Sequence, residues 1–250
     1  MALSNPDNRI ELILLDIEGT TTPIDFVYKT LFPYARARAR DFIETSLSGG
    51  KMSADLFGLV QEHARDLAAG QRPPVVPTNP QDSPQALAEY VYWLMDQDRK
   101  STPLKSIQGK IWEAGYNNGD LKSEVFADVP RAFERWTSQG REICIYSSGS
   151  VLAQKLLFAN THGGNLTEFI SAYFDTNTGP KKEAASYSRI ANEVGRSPGD
   201  ILFLSDVTAE LAAAKQAELK TLLCSRPGNQ PQPGSHEYDV VETFDHIFPS

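Results

Sequence analysis

The stretch Ile10 to Leu15 is almost wholly apolar and stops abruptly at Asp16. An apolar run this short, closed by a polar residue, reads as a strand buried on both faces, which parallel sheets use and one-sided antiparallel sheets do not. The pattern recurs along the chain. Arg141 to Tyr146 ends in Ser147-Ser148-Gly149-Ser150, Ile201 to Leu204 ends in Ser205-Asp206, and Ile170 to Phe174 and Leu219 to Cys224 are two further runs. Between them lie amphipathic stretches with recognisable starts: Asp128 ahead of Pro130 before Arg131 to Ser138, Ser150 before Val151 to Asn160, and Thr208 before Ala209 to Ala217. Strands alternating with helices predict an α/β fold with a Rossmann-like doubly wound parallel sheet.

Residues 26–122 break the alternation. They hold helix-like stretches from Val27 to Leu47, Ala54 to Ala69, Ser83 to Lys100 and Leu104 to Ala114, and no convincing strand. This predicts an α-helical domain, 26–122, inserted after the first strand of a core formed by 1–25 and 123–250. Proline-rich Arg72 to Pro84 is expected to be extended and poorly packed, and Ser225 to Ser235 is a second such loop. Arg36, Arg38 and Arg40 read as a solvated helical face with Asp41 and Glu44 as partners. Trp112 and Tyr116 read as packing within the insertion, with the lining of a binding site as the other reading.

Composition removes several function classes. A chain of 250 residues with 40% apolar and 22% charged residues has enough core to fold without a disulfide or metal staple. Its net charge of -8, spread along the chain, argues against nucleic-acid binding. No apolar stretch is long enough to span a bilayer, and the first residues lack an apolar signal core, so no membrane partner is expected. Cys144 and Cys224 each sit inside an apolar run without a spaced framework, which favours a reducing, cytoplasmic compartment and leaves a nuclear pool open. The absence of an exposed heptad pattern leans toward a monomer. The four histidines fall outside every strand end, which argues against zinc.

In an open parallel sheet, ligands bind beyond the carboxyl ends of the strands. Three apolar runs from distant parts of the chain deliver Asp16, Ser147 with Ser148, and Asp206 to such ends. Any one of these taken singly is a turn or capping residue; their convergence is the chemical signal. Two carboxylates suit a hard cation such as Mg²⁺, which takes one or two carboxylates plus waters and phosphate oxygens. A carboxylate can also attack phosphorus, and Glu18, two residues beyond Asp16, could protonate the leaving oxygen and later activate water. Gly19-Thr20-Thr21 offers a flexible turn and hydroxyls for phosphate, and the Ser147-Ser148 turn before a helix offers hydroxyls and N–H groups. A lysine of Gly179-Pro180-Lys181-Lys182-Glu183 could neutralise phosphoryl charge. No phosphate-binding P-loop, serine nucleophile elbow or dinucleotide fingerprint is present.

In this order, Asp16, Ser147, Lys181 and Asp206 resemble the haloacid dehalogenase superfamily, although Glu18 stands where most phosphatases of that superfamily have Asp. Leu15-Asp16-Ile17-Glu18-Gly19-Thr20-Thr21-Thr22-Pro23-Ile24, Leu104-Lys105-Ser106-Ile107-Gln108-Gly109, Tyr146-Ser147-Ser148-Gly149-Ser150 and Phe203-Leu204-Ser205-Asp206-Val207-Thr208 closely resemble its enolase-phosphatase family of methionine salvage. The resemblance spans nearly the whole chain. It implies a helical cap on a Rossmann-like core and one Mg²⁺ per subunit. It also implies conversion of 2,3-diketo-5-methylthiopentyl 1-phosphate, a small phosphorylated diketone, to an acireductone and phosphate. Asp16 and Glu18 would then be catalytic, Asp16, Glu18 and Asp206 associated with the metal, and Ser147, Ser148 and Lys181 substrate-binding. Lys181 is preferred to Lys182 because Gly179, Lys181 and Glu183 satisfy the family's Gly-x-Lys-x-Glu spacing. Glu210 resembles a second acidic position holding a metal-bound water, or is a first-turn acid favoured by the helix dipole. A general phosphatase of small sugar phosphates and a non-catalytic module with the same fold are the competing readings.

Overall fold

The structure is a computed structural model that describes residues 9–48, 52–99 and 101–249. In chain order it forms β1 (Leu12–Leu15), α1 (Ile24–Phe26), a π-helical stretch Val27–Leu31, α2 (Phe32–Ser48), α3 (Ala54–Ala68), α4 (Pro84–Asp96), α5 (Thr102–Asn117) and α6 (Val129–Ser138). There follow β2 (Glu142–Tyr146), α7 (Val151–Ala159), β3 (Ala172–Phe174), α8 (Ala184–Val194), β4 (Ile201–Ser205), α9 (Thr208–Gln216), β5 (Lys220–Cys224) and β6 (Val240–Val241). The chain divides into two compact units: one runs through Val27 and resumes at Lys122, and the other is Tyr28–Leu121.

The first unit carries a parallel sheet ordered β3-β2-β1-β4-β5-β6. All four residues of β1 are fully buried, as their unbroken apolar run requires, and each such side chain contributes about 1.5–3 kcal/mol. The order runs one way from β1 through β2 to β3 and the other way from β4 outward, so the topological switch lies between β1 and β4. These two strands are in register, Leu15 opposite Leu204, so their carboxyl ends bring Asp16 level with Ser205, with Asp206 one residue further on.

In the second unit, α2 packs against α4 and α5, and α3 against α5. Ala35, Ala39, Ile43 and Leu47 recur at helical spacing on the buried face of α2, with Leu87, Val91 and Leu94 buried on α4. Trp112 and Tyr116 are buried within this unit, and the Trp112 indole N–H donates to the Leu31 carbonyl at 2.8 Å.

Several local expectations are corrected. The stretch from Val27 to Leu47 is not one α-helix: Pro33 has no N–H for the carbonyl four residues back, and the turn ahead of it winds as a π-helix. Arg36, Arg38 and Arg40 reach across helices to Asp96, Asp120 and Glu89, not along their own helix to Asp41 and Glu44. Arg72 to Pro84 is not loose, since Pro73 is buried, His63 Nε2 lies 2.9 Å from the Pro74 carbonyl, and a 3-10 turn at Pro80–Asp82 leads into α4. Asp128 precedes α6 without capping it through its side chain, because its carboxylate is committed to Arg226 and the Phe244 amide. Thr208 opens α9 as a helical residue, its hydroxyl turned to the Pro233 carbonyl, with Val207 as the cap. Ser150, by contrast, caps α7 by accepting from the Ala153 amide at 3.3 Å.

Candidate active site

Asp16 extends the β1–β4 ladder by one bond, its amide donating to the Leu204 carbonyl at 3.0 Å. Its carboxylate is nearly fully buried, with hydrogen-bonding partners at both oxygens. Oδ1 accepts from the Ile17 amide at 2.8 Å and from Lys181 Nζ at 2.5 Å, and Oδ2 accepts from the Ser205 hydroxyl at 3.2 Å. The Lys181 ammonium also sits 2.7 Å from Glu210 Oε2, so one buried cation bridges two carboxylates that arrive from β1 and α9.

Lys181 reaches this position because its turn is pinned from three sides. Tyr146 donates to the Gly179 carbonyl at 2.7 Å, Ser186 to the Pro180 carbonyl at 2.8 Å, and Tyr187 to the Lys181 carbonyl at 2.7 Å. Gly179 is obligatory, since a Cβ there would lie 2.2 Å from the Ser186 hydroxyl. Lys182 points to solvent.

Asp206 is buried beyond β4, and a Cβ on Gly19 would lie 2.5 Å from its Oδ2, so only glycine lets the turn after β1 approach this carboxylate. Gly19 also has φ +68, a conformation other residues adopt only under strain. Burial, and then the Asp16 charge, pushes Asp206 up to about 7 against partial relief from Lys181. Burial and the Asp16 charge likewise push Glu210 up to about 7, with Lys181 again opposing the shift. Burial alone would lower Lys181, but the two carboxylates outweigh it and hold the ammonium above its ordinary value.

The Ser147 hydroxyl is buried, makes a long 3.5 Å contact to Glu18 Oε2 and accepts from the Gly149 amide at 3.1 Å. The Ser147 amide donates to the Phe174 carbonyl at 3.2 Å, so the anion-binding capacity expected of this turn does not come from that N–H. Ser148 lies partly exposed beside it. Thr20 and Thr21 are both fully buried, and Thr21 Oγ1 lies 3.3 Å from the carbonyls of Asp16 and Ile17.

Ser205 was legible only as the end of a strand. Its one hydroxyl stands 3.2 Å from Asp16 Oδ2 and 3.1 Å from Glu210 Oε2, fully buried between them. No sequence signal marks it beyond its place next to Asp206.

Among the described residues no three His, Cys, Asp or Glu side chains form a metal cage by themselves. The donor set nevertheless fits Mg²⁺, which needs only one or two carboxylates and completes its octahedron with water and phosphate oxygens. Asp16 and Asp206 supply two, and the upward shift of Asp206 marks a buried negative charge that a divalent cation would relieve.

A buried aspartate at the switch point of a parallel sheet, held by a lysine and flanked by a second aspartate, defines a hydrolase of the strand-end aspartate type. The family model that matches residues 10–218 is that of haloacid dehalogenase-like hydrolases. Enolase-phosphatase E1 of Synechococcus elongatus is 52% identical over 238 residues, covering 95% of this chain and 98% of the relative. Enolase-phosphatase E1 of Drosophila melanogaster is 43% identical over 229 residues, covering 91% and 88%. The crystal structure of the UTR4 protein of Saccharomyces cerevisiae superposes with a TM-score of 0.73 at 35% identity, over 94% of this chain and 99% of that one. The chain belongs to the haloacid dehalogenase-like hydrolases and, within them, to the enolase-phosphatase E1 family. No helix among the described residues is long and apolar enough to cross a membrane.

Proposed function

We propose that this chain is a Mg²⁺-dependent enolase-phosphatase that converts 2,3-diketo-5-methylthiopentyl 1-phosphate, through its enol phosphate, to the acireductone 1,2-dihydroxy-3-keto-5-methylthiopentene and phosphate, in methionine salvage. The observation that carries the reading is the convergence of Lys181, Ser205 and the Ile17 amide on one buried carboxylate, that of Asp16, beside Asp206. Likeness to the enolase-phosphatase E1 relatives over nearly the whole chain selects the substrate.

The carboxylates of Asp16 and Asp206, with the backbone carbonyl of Glu18, would hold one Mg²⁺ per subunit. Bound there, the metal supplies polarisation of a substrate oxygen and neutralises phosphoryl charge. Enolisation moves a proton from the carbon beside the carbonyl to oxygen. Asp16 then attacks phosphorus in line, forming an aspartyl phosphate as the bond to the leaving oxygen breaks. The Glu18 carboxyl gives that oxygen its proton and afterwards takes one from the water that hydrolyses the aspartyl phosphate. Lys181 leaves its ion pair with Asp16 Oδ1 to neutralise the equatorial oxygens, which frees that lone pair for attack. Ser147 and Ser148 hold the phosphate from the β2 side. A monomer acting in the cytoplasm completes the proposal.

The test is to mix the protein with the diketone phosphate and Mg²⁺ and follow enediol absorbance and free phosphate together, with a chelator control. Both signals, lost on chelation, are expected. Phosphate release from simple sugar phosphates with no diketone turnover would replace this reading by a general phosphatase, and neither signal would leave a binding module. In Asp16→Asn phosphate release should vanish; release at the parent rate would refute the covalent route.

A further inference from the structure

The turn that follows Asp16 is closed from within by short-range bonds: the amides of Thr20, Thr21 and Thr22 all reach the Ile17 carbonyl, and the Gly19 amide reaches that of Thr22. Two consecutive carbonyls of this turn, Gly19 and Thr20, receive their donors from the far end of the chain. Asn229 Nδ2 donates to the Gly19 carbonyl at 2.9 Å and to the Cys224 carbonyl at 3.2 Å, which ties the turn to the end of β5. Arg226 Nε donates to the Thr20 carbonyl at 3.1 Å.

The Arg226 guanidinium is itself rigidly placed. It is buried, its Nη1 donates to Asp128 Oδ2 at 2.8 Å and to the Glu242 carbonyl at 2.9 Å, and it lies 4.7 and 4.2 Å from the ring centroids of Phe126 and Phe244. Asp128 Oδ2 is fixed in turn by the Phe244 amide at 2.5 Å and the Thr243 hydroxyl at 3.2 Å. A buried ion pair is a poor way to gain stability, because packed apolar side chains of the same volume do as well or better. What it supplies here is a donor at a defined point, and that point is a carbonyl two residues beyond Glu18.

We propose that Arg226, braced by Asp128, and Asn229 are positioning residues for the reaction: together they clamp the turn that carries Glu18 and Gly19, and so hold Glu18 and the Asp206 approach in register with Asp16. The inference rests on the reading of Asp16 as nucleophile and Glu18 as proton carrier. Misplacing a reacting group by about 1 Å can cost on the order of a hundred-fold in rate, so a clamp remote from the chemistry is read in kcat.

Asn229→Leu tests it, since leucine keeps the branched shape, removes both donors and adds no charge. Arg226→Lys is the second variant, keeping a cation for Asp128 while losing the guanidinium fork, and it is read by the same criterion. For each, kcat and KM for phosphate release at saturating Mg²⁺ are measured per folded molecule, with the folded fraction taken from thermal melts. The expected result is a fall of about ten-fold or more in kcat with KM little changed, the signature of a group that acts on the transition state. Any fall in kcat beyond about three-fold supports the clamp, and a kcat within about three-fold of the parent in the folded variants overturns it. Asp16→Asn in the parent chain separates the two levels. If it turns over at the parent rate, the nucleophile reading fails; if it is inactive while the clamp variants keep the parent kcat, only the clamp fails.

Discussion

Lys181→Met removes a buried cation while keeping its length, and the structure sets the size of the response. The ammonium is 2.5 Å from Asp16 and 2.7 Å from Glu210, with only 8% of its side chain exposed. Removing one partner of such a buried pair costs about 3–5 kcal/mol, because the remaining charge has no solvent to turn to. In a chain of this size that is a fall of about 6–20 °C in Tm at pH 8, taking about 2–4 °C per kcal/mol. The loss depends on pH with a definite sign. Lys181 opposes the upward shifts of Asp206 and Glu210, which stand at about 7, so its removal raises both further. As pH falls through this range both take up protons and the destabilisation shrinks; as pH rises it grows. Thermal melts of parent and variant in Mg²⁺-free buffer from pH 5 to 8 read this out, with Lys182→Met, on an exposed neighbour, as the unchanged control. A Lys181→Met protein that melts with the parent across the whole range would show that the ammonium does not carry these carboxylates. Phosphate release should fall at least about a hundred-fold in the same variant, through loss of charge stabilisation on the phosphoryl oxygens.

Gly19→Ala should nearly abolish turnover, because its Cβ would lie 2.5 Å from Asp206 Oδ2 on a backbone with φ +68; steady-state kinetics at parent-like activity would contradict the close approach. Ser205→Ala leaves Asp16 Oδ2 without its hydroxyl donor, an unsatisfied buried acceptor worth about 1–3 kcal/mol, and is expected to lower both Tm and kcat in melts and phosphate assays. For the metal-free parent, a folded pKa of about 7 for Asp206 against an ordinary 3.8 means that its contribution to stability is full below about pH 4 and lost as pH rises through 7. Adding Mg²⁺ should therefore raise Tm more at pH 8 than at pH 5, and an equal rise at both would argue against a carboxylate-held cation.

The enolase-phosphatase reading and the clamp lie on different parts of the chain, and this separates what could be read at once from what could not. The strands β1, β2 and β4 were legible because burial on both faces leaves an unbroken apolar run, and each run ended at the residue that the sheet delivers to the switch point. Lys181 was distinguishable from Lys182 only through the resemblance to the family's Gly-x-Lys-x-Glu pattern, since the residues by themselves left either lysine open. The two-residue β6 was not legible: its pairing with β5 comes from the sheet edge, not from any pattern in Val240 and Val241. Nor was Asp128, whose position before a proline suggests a helix cap until Arg226 and Phe244 claim its carboxylate.

By itself, then, the sequence determined the parallel sheet, the helical insertion and the residues at the strand ends, since hydrophobic periodicity and burial are local consequences of composition. Tertiary structure alone decided that Lys181 bridges Asp16 and Glu210, that Ser205 stands between the same two carboxylates, and that Asn229 and Arg226 grip the turn after Asp16. These last two bonds join residues 210 and 206 positions apart through backbone carbonyls, which every residue possesses, and a contact made to a carbonyl leaves no mark on the identity of the residue that offers it.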